Sequence, residues 1–330
     1  MEEHSIYEQI AARTGGSVYL GVVGPVRTGK STFVKRLMEQ LVLPNIADPY
    51  QRERAQDELP QAASGKTIMT AEPKFVPEQA VEIRPDGKTA LSVRLIDTVG
   101  YLIPGAVGAE EDGAPRMVTT PWYPEEIPMT EAAELGTKKV MDDHSTIGIL
   151  ITTDGTITDI PRADYVDAER RAIADMQKAG KPFLVLVNSA QPKSEAAQSI
   201  CREIGVQTGA ACMAVNCLTM EDAEICEVLT ELLYEFPVQE LQVYFPAWLA
   251  ALPEEHALKG TLYAALRDRA AQITTLRQAE PALRTLCTLE EVEDVRILGA
   301  ELGSGAVRCE LTCPEGLFFA LLSEQAGVDV

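Results

Sequence analysis

Residues Gly24 to Ser31 have the types and the spacing of a phosphate-binding loop. They fit the pattern G-x-x-x-x-G-K-[S/T] at every fixed position. Glycines let consecutive backbone N–H groups approach phosphate oxygens, because no Cβ atom stands in the way. Lys30 is placed to reach the β- and γ-phosphates of a nucleoside triphosphate, and the Ser31 hydroxyl is a suitable Mg²⁺ ligand. The pattern predicts a P-loop that binds a nucleoside triphosphate with Mg²⁺.

A second motif, D-x-x-G, occupies residues 97–100 at the end of the apolar run Ala90–Asp97. An acid at the carboxyl end of a strand can hold Mg²⁺ through water, and a glycine three residues later can offer its N–H to the γ-phosphate. The motif alone is weak, but its place after a P-loop and on a strand makes it specific. We therefore assign Asp97 and Gly100 to the same site.

Threonines between the two motifs are candidates for sensing the γ-phosphate. Thr70 is the first choice and Thr67 the second, since switch-type NTPases place such a threonine in this interval. Thr70 would also complete the Mg²⁺ shell.

A third segment bears on the choice of base. GTPases of this build read guanine with Asn-Lys-x-Asp after a later strand, and here the strand Phe183–Val187 precedes Asn-Ser-Ala-Gln at 188–191. Gln191 stands where a carboxylate would accept two hydrogen bonds from the guanine edge, and an amide does not reproduce that pairing. ATP is therefore the predicted nucleotide.

The residue after Gly100 predicts slow turnover. Many GTPases have a glutamine there that orients the attacking water, but this chain has Tyr101. Hydrolysis would then be slow, or would depend on backbone groups or on an arginine from a neighbouring subunit. Arg27, inside the loop, is a candidate for charge stabilisation, with a solvated loop arginine as the alternative.

The predicted site has three overlapping sets of residues. The catalytic set is Lys30, Asp97 and Thr70, and the metal-binding set is Ser31, Thr70 and Asp97. The predicted nucleotide contacts are Gly24, Pro25, Val26, Arg27, Thr28, Gly29, Lys30, Ser31, Thr32, Gly100, Asn188 and Ser189.

Alternating strands and helices must position these residues. The apolar, β-branched run Ser17–Val23 predicts a strand before the P-loop, and helical spacing follows it over Ser31–Leu43. Further strands and helices alternate to about Phe236, which predicts an α/β, doubly wound and mostly parallel sheet in a P-loop NTPase domain over residues 1–238. Within it, Tyr101–Pro128 is rich in Gly, Pro and acids and predicts no regular structure, and Thr130 is expected to cap a helix.

The pattern changes after Pro237. A strand near Leu241–Phe245, a long helix over Leu258–Ala279, a hairpin around residues 303–305 and a closing helix predict a small α+β domain over residues 239–330.

Composition excludes several classes of protein. A formal net charge of −21 over 330 residues disfavours general binding of nucleic acid. Seven scattered cysteines and three histidines argue against a zinc site or a disulfide framework, and favour reduced thiols in a cytoplasm. No apolar run reaches the roughly 20 residues of a membrane helix, so any membrane association would be peripheral.

Several longer runs carry a family resemblance. They are Asp57–Pro60, Glu72–Pro77, Pro121–Tyr123 and Ile151–Thr156. With the motifs above, they closely resemble the stage IV sporulation protein A family, from near Ile6 to the end of the chain. The resemblance implies a translation-factor-type GTPase fold that became an ATPase, with Lys30, Asp97 and Thr70 at the family's functional positions. The family often has a second threonine after the sensor, where this chain has Ala71.

The resemblance also implies a role in the cell. Family members are cytoskeletal ATPases of the spore coat that polymerise and form its basement layer on the forespore surface in the mother cell. Expected partners are other copies of the same chain, a small amphipathic membrane-bound sporulation protein and other coat proteins. We also expect the family's carboxyl-terminal region to be absent from this chain.

Two other functional classes remain open at this point. One is a GTPase-like regulatory switch, suggested by the general order of the motifs. The other is a module that binds nucleotide with negligible turnover, suggested by Tyr101.

Overall fold

The computed structural model of the chain describes residues 5–60, 72–104, 110–111, 114–120 and 123–326. The chain separates into two compact units, Met1–Leu232 and Leu233–Val330. The first unit contains the P-loop, and the second begins at the end of the last helix of the first.

The described residues of the first unit form ten strands. They are β1 (Ser17–Val23), β2 (Lys74–Ile83), β3 (Leu91–Asp97), β4 (Glu110–Glu111), β5 (Ala114–Pro115), β6 (Met117–Thr120), β7 (Tyr123–Pro128), β8 (Ile147–Thr153), β9 (Phe183–Asn188) and β10 (Cys212–Val215). Six of them form one sheet in the order β10-β9-β8-β1-β3-β2. Every neighbouring pair is parallel except β2 and β3. The prediction of a mixed α/β unit with a largely parallel sheet is therefore confirmed.

The α-helices of this unit alternate only partly with the strands along the chain. They are α1 (Ile6–Thr14), α2 (Lys30–Leu37), α3 (Pro49–Asp57), α4 (Met129–Lys139), α5 (Val166–Ala179), α6 (Glu195–Thr208) and α7 (Asp222–Leu233). The helix predicted over Ser31–Leu43 changes its winding, because α2 passes into a π-turn at Met38–Val42 and then a 3₁₀ turn at Leu43–Asn45. Pro44 lies in that last turn, where the helix ends.

Helices cover both faces of the central sheet. On one face, Leu20 and Ile149 of the sheet line a small apolar cavity together with Phe33 of α2 and Val228 of α7. On the other face the strands carry glycines, and a Cβ atom at Gly21 would lie 2.8 Å from Met141 Sδ. The absence of side chains at such positions lets the helices of that face approach the sheet closely.

Two predictions for the segment between Tyr101 and Thr130 are wrong. Strands β6 and β7 pair as a hairpin, in which Val118 lies opposite Ile127. These two side chains pack against Met129 and give the hairpin an apolar support that composition did not reveal. The helix begins at Met129 after an N-cap at Pro128, and not after Thr130, because Met129 is buried and its N–H donates to the Arg116 carbonyl.

The second unit is a small α+β unit. Its elements are β11 (Glu240–Tyr244), α8 (Ala247–Ala251), α9 (Ala257–Ala270), α10 (Leu276–Arg284), β12 (Asp294–Glu301), β13 (Ala306–Thr312) and α11 (Glu315–Ala326). The three strands form a sheet in the order β11-β13-β12, with the predicted antiparallel hairpin between β12 and β13.

The single helix predicted over Leu258–Ala279 is wrong. The chain leaves α9 at Ala270 and enters α10 only at Leu276. The turn contains Ile273, Thr274 and Thr275, whose β-branched side chains disfavour helix. Thr275 instead forms a β-bridge with Pro237.

Within the part of the chain that the structure describes, no helix combines the length and the apolar character that a bilayer-spanning helix requires.

Candidate nucleotide-binding site

The P-loop occupies the bend between β1 and α2. Gly24 has a φ of 131° and Gly29 a φ of 93°, values that L side chains rarely adopt. A Cβ atom at Gly24 would lie 2.2 Å from the carbonyl oxygen of Ile151 on β8. Arg27 also has a positive φ, of 64°, and its side chain is exposed. The loop therefore has the wound backbone that turns amides toward an anion at a helix N-terminus.

Lys30 is a buried cation at the start of α2. Its Nζ donates to the carbonyl oxygens of Pro25 at 2.7 Å and of Gly24 at 3.3 Å. Burial lowers the pKa of Lys30 to about 8, while the nearby Asp97 carboxylate opposes that shift. Burial of an ammonium group away from water lowers the stability of the fold, and a buried lysine with a shifted pKa is typical of a functional site.

Ser31 and Asp97 meet across the site. The Ser31 hydroxyl donates to Asp97 Oδ2 at 2.5 Å, which joins the start of α2 to the end of β3. The other carboxylate oxygen, Oδ1, is buried and has no hydrogen-bond partner among the described residues. Burial raises the pKa of the Asp97 carboxyl, against the opposing effects of Ser31, Lys30 and Lys74.

This pair fits the Mg²⁺ that a nucleotide would bring. A hydroxyl and a carboxylate are hard oxygen donors, and Mg²⁺ is usually held by one or two such groups together with phosphates and water. The unpartnered Oδ1 of Asp97 is a buried negative site that a cation would satisfy. Larger clusters of three or more His, Cys, Asp or Glu are absent from the described residues.

Gly100 lies directly against the P-loop. A Cβ atom there would be 2.1 Å from the Gly24 carbonyl oxygen and 2.5 Å from Lys30 Nζ. With a φ of 95°, the position also has a backbone conformation suited to glycine. The D-x-x-G motif thus brings its glycine to the P-loop lysine.

The remaining loop residues have different surroundings. The Val26 N–H donates to the Tyr101 carbonyl at 2.9 Å, so this amide is already bonded within the protein. The Thr28 hydroxyl is buried and donates to the Pro25 carbonyl. Thr32, on the first turn of α2, is half-buried. The backbone amides after Val26 are therefore the ones left to face an anion.

Asn188 and Ser189 lie beside the loop but use their side chains within the protein. Asn188 Nδ2 donates to the Thr28 carbonyl at 3.0 Å, and its Oδ1 accepts from the Cys217 N–H at 3.1 Å. The Ser189 hydroxyl is fully buried and accepts from the Gln191 N–H. Both side chains therefore use their polar groups in hydrogen bonds that support the site from the protein interior, rather than presenting free polar groups to a base.

The predicted sensor Thr70 and its alternative Thr67 lie outside the described residues. Three other residues contribute to the site although the predicted set does not contain them, namely Tyr101, Asp175 and Cys217. Tyr101 is 1% exposed, and its hydroxyl donates to Asp175 Oδ2 on α5 at 2.9 Å. Neither Asp175 nor Cys217 was predicted, since no local motif marks either residue. A polar residue on the buried side of a helix is the only signal that Asp175 offers.

Comparison with known proteins gives a consistent result. Residues 1–237 match the family model described as "Stage IV sporulation protein A, ATPase domain", and residues 238–330 match "Stage IV sporulation protein A, middle domain". Proteins named Stage IV sporulation protein A are 45% identical in Bacillus subtilis (strain 168), 43% in Bacillus anthracis and 42% in Clostridioides difficile (strain 630). These alignments cover 99–100% of this chain and 67% of each relative. The chain therefore belongs to the stage IV sporulation protein A family, with the family's ATPase domain followed by its middle domain.

Proposed function

We propose that this chain binds and slowly hydrolyses ATP with Mg²⁺, and that hydrolysis drives its assembly in the spore coat. The observation that carries the proposal is the convergence of Lys30, Ser31, Asp97 and Gly100 on one P-loop, in a unit that matches a family ATPase domain. Two separate motifs contribute these residues, and each group has the chemistry that a triphosphate requires.

Each side chain has a distinct part in the proposal. Lys30 supplies positive charge at the phosphates, and its ammonium group would exchange the neutral Gly24 and Pro25 carbonyls for charged phosphate oxygens, which are stronger acceptors. Ser31 and Asp97 would hold Mg²⁺, which supplies charge neutralisation at the β- and γ-phosphates when bound. Gly100 would offer its N–H at the γ-phosphate.

Adenine is the proposed base because the guanine-reading groups are missing. Ser189 and Gln191 replace the lysine and the aspartate of Asn-Lys-x-Asp. The Asn188 amide has hydrogen bonds at both of its ends within the protein. A guanine base would therefore lose the paired hydrogen bonds that distinguish it from adenine.

Slow turnover is the proposed consequence of Tyr101. Its side chain is buried and bonded to Asp175, so it has no exposed group with which to orient a water molecule. The same observation favours the second candidate function, a nucleotide-binding module with negligible turnover. A GTPase-like switch is disfavoured by Gln191.

The cellular part of the proposal rests on family membership. We infer self-assembly into a polymer on the forespore surface within the mother-cell cytoplasm, with a small amphipathic membrane-bound sporulation protein and other coat proteins as partners and without nucleic acid. We also infer that the ATPase unit descends from translation-factor-type GTPases. The P-loop, the D-x-x-G motif and the segment Asn188–Gln191 occur along this chain in the same order as the corresponding motifs of those GTPases.

Phosphate release over several hours tests the enzymatic proposal. The wild-type chain should release phosphate from MgATP, and Asp97→Ala should not. Asp48→Ala is the matched control, because this exposed aspartate caps α3, where its carboxylate accepts from the Tyr50 N–H. Equal release by wild type and Asp97→Ala would refute hydrolysis at this site, and no release by either would favour the binding module.

Filament formation tests the coupling to assembly. In a full-length family member, Lys30→Ala at the matching position should abolish both ATPase activity and filaments. Normal filaments from that variant would refute the coupling.

A further inference from the structure

Tyr101 is tied to α5 by its side chain. The hydroxyl donates to Asp175 Oδ2 at 2.9 Å, and the ring is 1% exposed. Burial and the adjacent Asp175 carboxylate raise the pKa of Tyr101 far above its ordinary value, so the hydroxyl stays a neutral donor. The side chain therefore points away from the phosphates and into the interior.

The backbone of Tyr101 is tied to the P-loop. Its N–H donates to the Gly24 carbonyl at 3.1 Å, and its carbonyl accepts from the Val26 N–H at 2.9 Å. The Gly24 carbonyl is also an acceptor for Lys30 Nζ. One residue thus connects the D-x-x-G motif, the P-loop backbone and the carbonyl that Lys30 contacts.

Helix α5 provides a second attachment one turn before Asp175. Arg171 donates to the Leu102 carbonyl at 3.3 Å, and its guanidinium lies 5.9 Å from the centre of the Tyr101 ring. Residues four apart on a helix share a face, so Asp175 and Arg171 form hydrogen bonds with two consecutive residues after Gly100. These residues are Tyr101 and Leu102. Arg171 also forms a salt bridge with Glu134, and Asp175 forms one with Lys138 at 3.3 Å. Both partners lie on α4, so α4 is connected to this pair of α5 residues.

The backbone at Gly100 has little room to move. Gly100 lies so close to Gly24 and Lys30 that a single added methyl group would fall 2.1 Å from one and 2.5 Å from the other. A shift of the next peptide would therefore move the Gly100 N–H relative to the phosphate position. Small displacements of a catalytic group have large effects on the rate of the reaction.

We propose that Tyr101 is a positioning residue for ATP hydrolysis, whose hydroxyl bond to Asp175 holds the Gly100–Tyr101 peptide in register with the P-loop. The residue that replaces a water-orienting glutamine then has a different task, which is to fix the backbone that contacts the γ-phosphate. This inference rests on the proposed ATPase activity.

A double-mutant cycle tests the bond. Tyr101→Phe and Asp175→Ala should each lower kcat about fivefold, a loss expected for one buried hydrogen bond. KM for MgATP should stay within twofold of wild type, because the P-loop amides remain. The double variant should be no slower than the slower single variant, since both changes remove the same bond. Asp175→Asn keeps an acceptor oxygen and should restore kcat to within twofold of wild type.

A matched control and the contrary results complete the kinetic test. Tyr7→Phe also removes a tyrosine hydroxyl, one that contacts Cys226 on α7, and should leave kcat unchanged. Additive losses in the double variant, a wild-type kcat in Tyr101→Phe, or a change confined to KM would overturn the proposal.

Hydrogen exchange provides a readout without turnover. In the nucleotide-free protein, Tyr101→Phe should speed exchange of the Val26 and residue-101 amides at least fivefold, with the Thr98 amide on the Val22 carbonyl as internal reference. Unchanged exchange would overturn the inference even if ATP is hydrolysed. Absence of hydrolysis in wild type would refute the ATPase activity, while exchange would still decide whether the bond holds the peptide.

Discussion

The side-chain amide of Asn188 joins the P-loop to the segment after β10, because its Nδ2 donates to the Thr28 carbonyl at 3.0 Å. Its Oδ1 accepts from the Cys217 N–H, so both ends of the amide are bonded and the side chain is 4% exposed. The asparagine that begins the degenerate base-reading motif is therefore a structural tether of the loop that cradles phosphates.

Removal of that tether should weaken nucleotide binding. Asn188→Ala leaves a buried carbonyl and a buried N–H unpaired, which should cost about 2–3 kcal/mol of unfolding free energy and weaken MgATP binding about tenfold. Urea unfolding and calorimetric titration measure the two effects. Asn45→Ala is the control, since this amide bonds the Leu41 carbonyl away from the loop. Equal MgATP affinity in the two variants would contradict the role of the tether.

A methyl group at Gly100 should stop turnover. Gly100→Ala places a Cβ atom against Gly24 and Lys30, and we expect a loss of about 100-fold in the rate of phosphate release. Gly87→Ala is the matched control, because Gly87 also has a positive φ, of 75°, but no atom within 4 Å of its added Cβ. Both variants should lose about 1 kcal/mol of stability from backbone strain, and Gly100→Ala should lose more because its Cβ would overlap the Gly24 carbonyl oxygen. Full activity in Gly100→Ala would rule out the close approach to Lys30.

Lys30 should be a residue that serves function at the expense of stability. Lys30→Met removes a buried cation and keeps an unbranched chain, so the unfolding midpoint of the nucleotide-free protein should rise by about 2 °C. MgATP binding should be lost in the same variant. Lys35→Met, at an exposed lysine of the same helix, should change neither property. A fall of several degrees in Lys30→Met would instead indicate a lysine needed for folding.

Asp86 should make the stability of the first unit depend on acid pH. Burial acts to raise the pKa of Asp86, but hydrogen bonds from Ser5, Thr89 and Lys88 outweigh it and hold the pKa well below its ordinary value. A depressed carboxyl pKa contributes stability above the ordinary value of about 3.9, and that contribution is lost as the pH falls below it. The unfolding free energy of wild type should exceed that of Asp86→Ala by about 1–2 kcal/mol at pH 7. The difference should shrink between pH 4 and pH 2, and a constant difference over this range would show that the carboxylate charge is irrelevant.

Much of the site could be predicted from sequence because its signals are local. The strand β1, the P-loop and the helix α2 are consecutive, so periodicity and turn chemistry identify all three together. Asp97 and Asn188 each end a strand of a largely parallel sheet, where carboxyl ends meet at one edge. That geometry brings the motifs together without any knowledge of side-chain contacts.

The contacts that were missed join residues far apart in the chain. Tyr101 and Asp175 are 74 positions apart, and Asn188 and Thr28 are 160 apart. No local pattern indicates such pairs. Thr130 failed as a cap because burial of Met129 decided where α4 begins, and the α9–α10 break depends on the bridge between Thr275 and Pro237. Tertiary packing overrode local propensity at the start of α4, whereas at the α9–α10 break it acted together with the low helix propensity of Ile273, Thr274 and Thr275.

Calorimetric titration of MgATP and MgGTP into the wild-type chain and Lys30→Met tests the central claim most directly. The proposed site predicts that wild type binds MgATP at least tenfold more tightly than MgGTP, and that Lys30→Met binds neither nucleotide. Tenfold tighter binding of MgGTP, or wild-type affinity for MgATP in Lys30→Met, would contradict an ATP site built around the P-loop lysine.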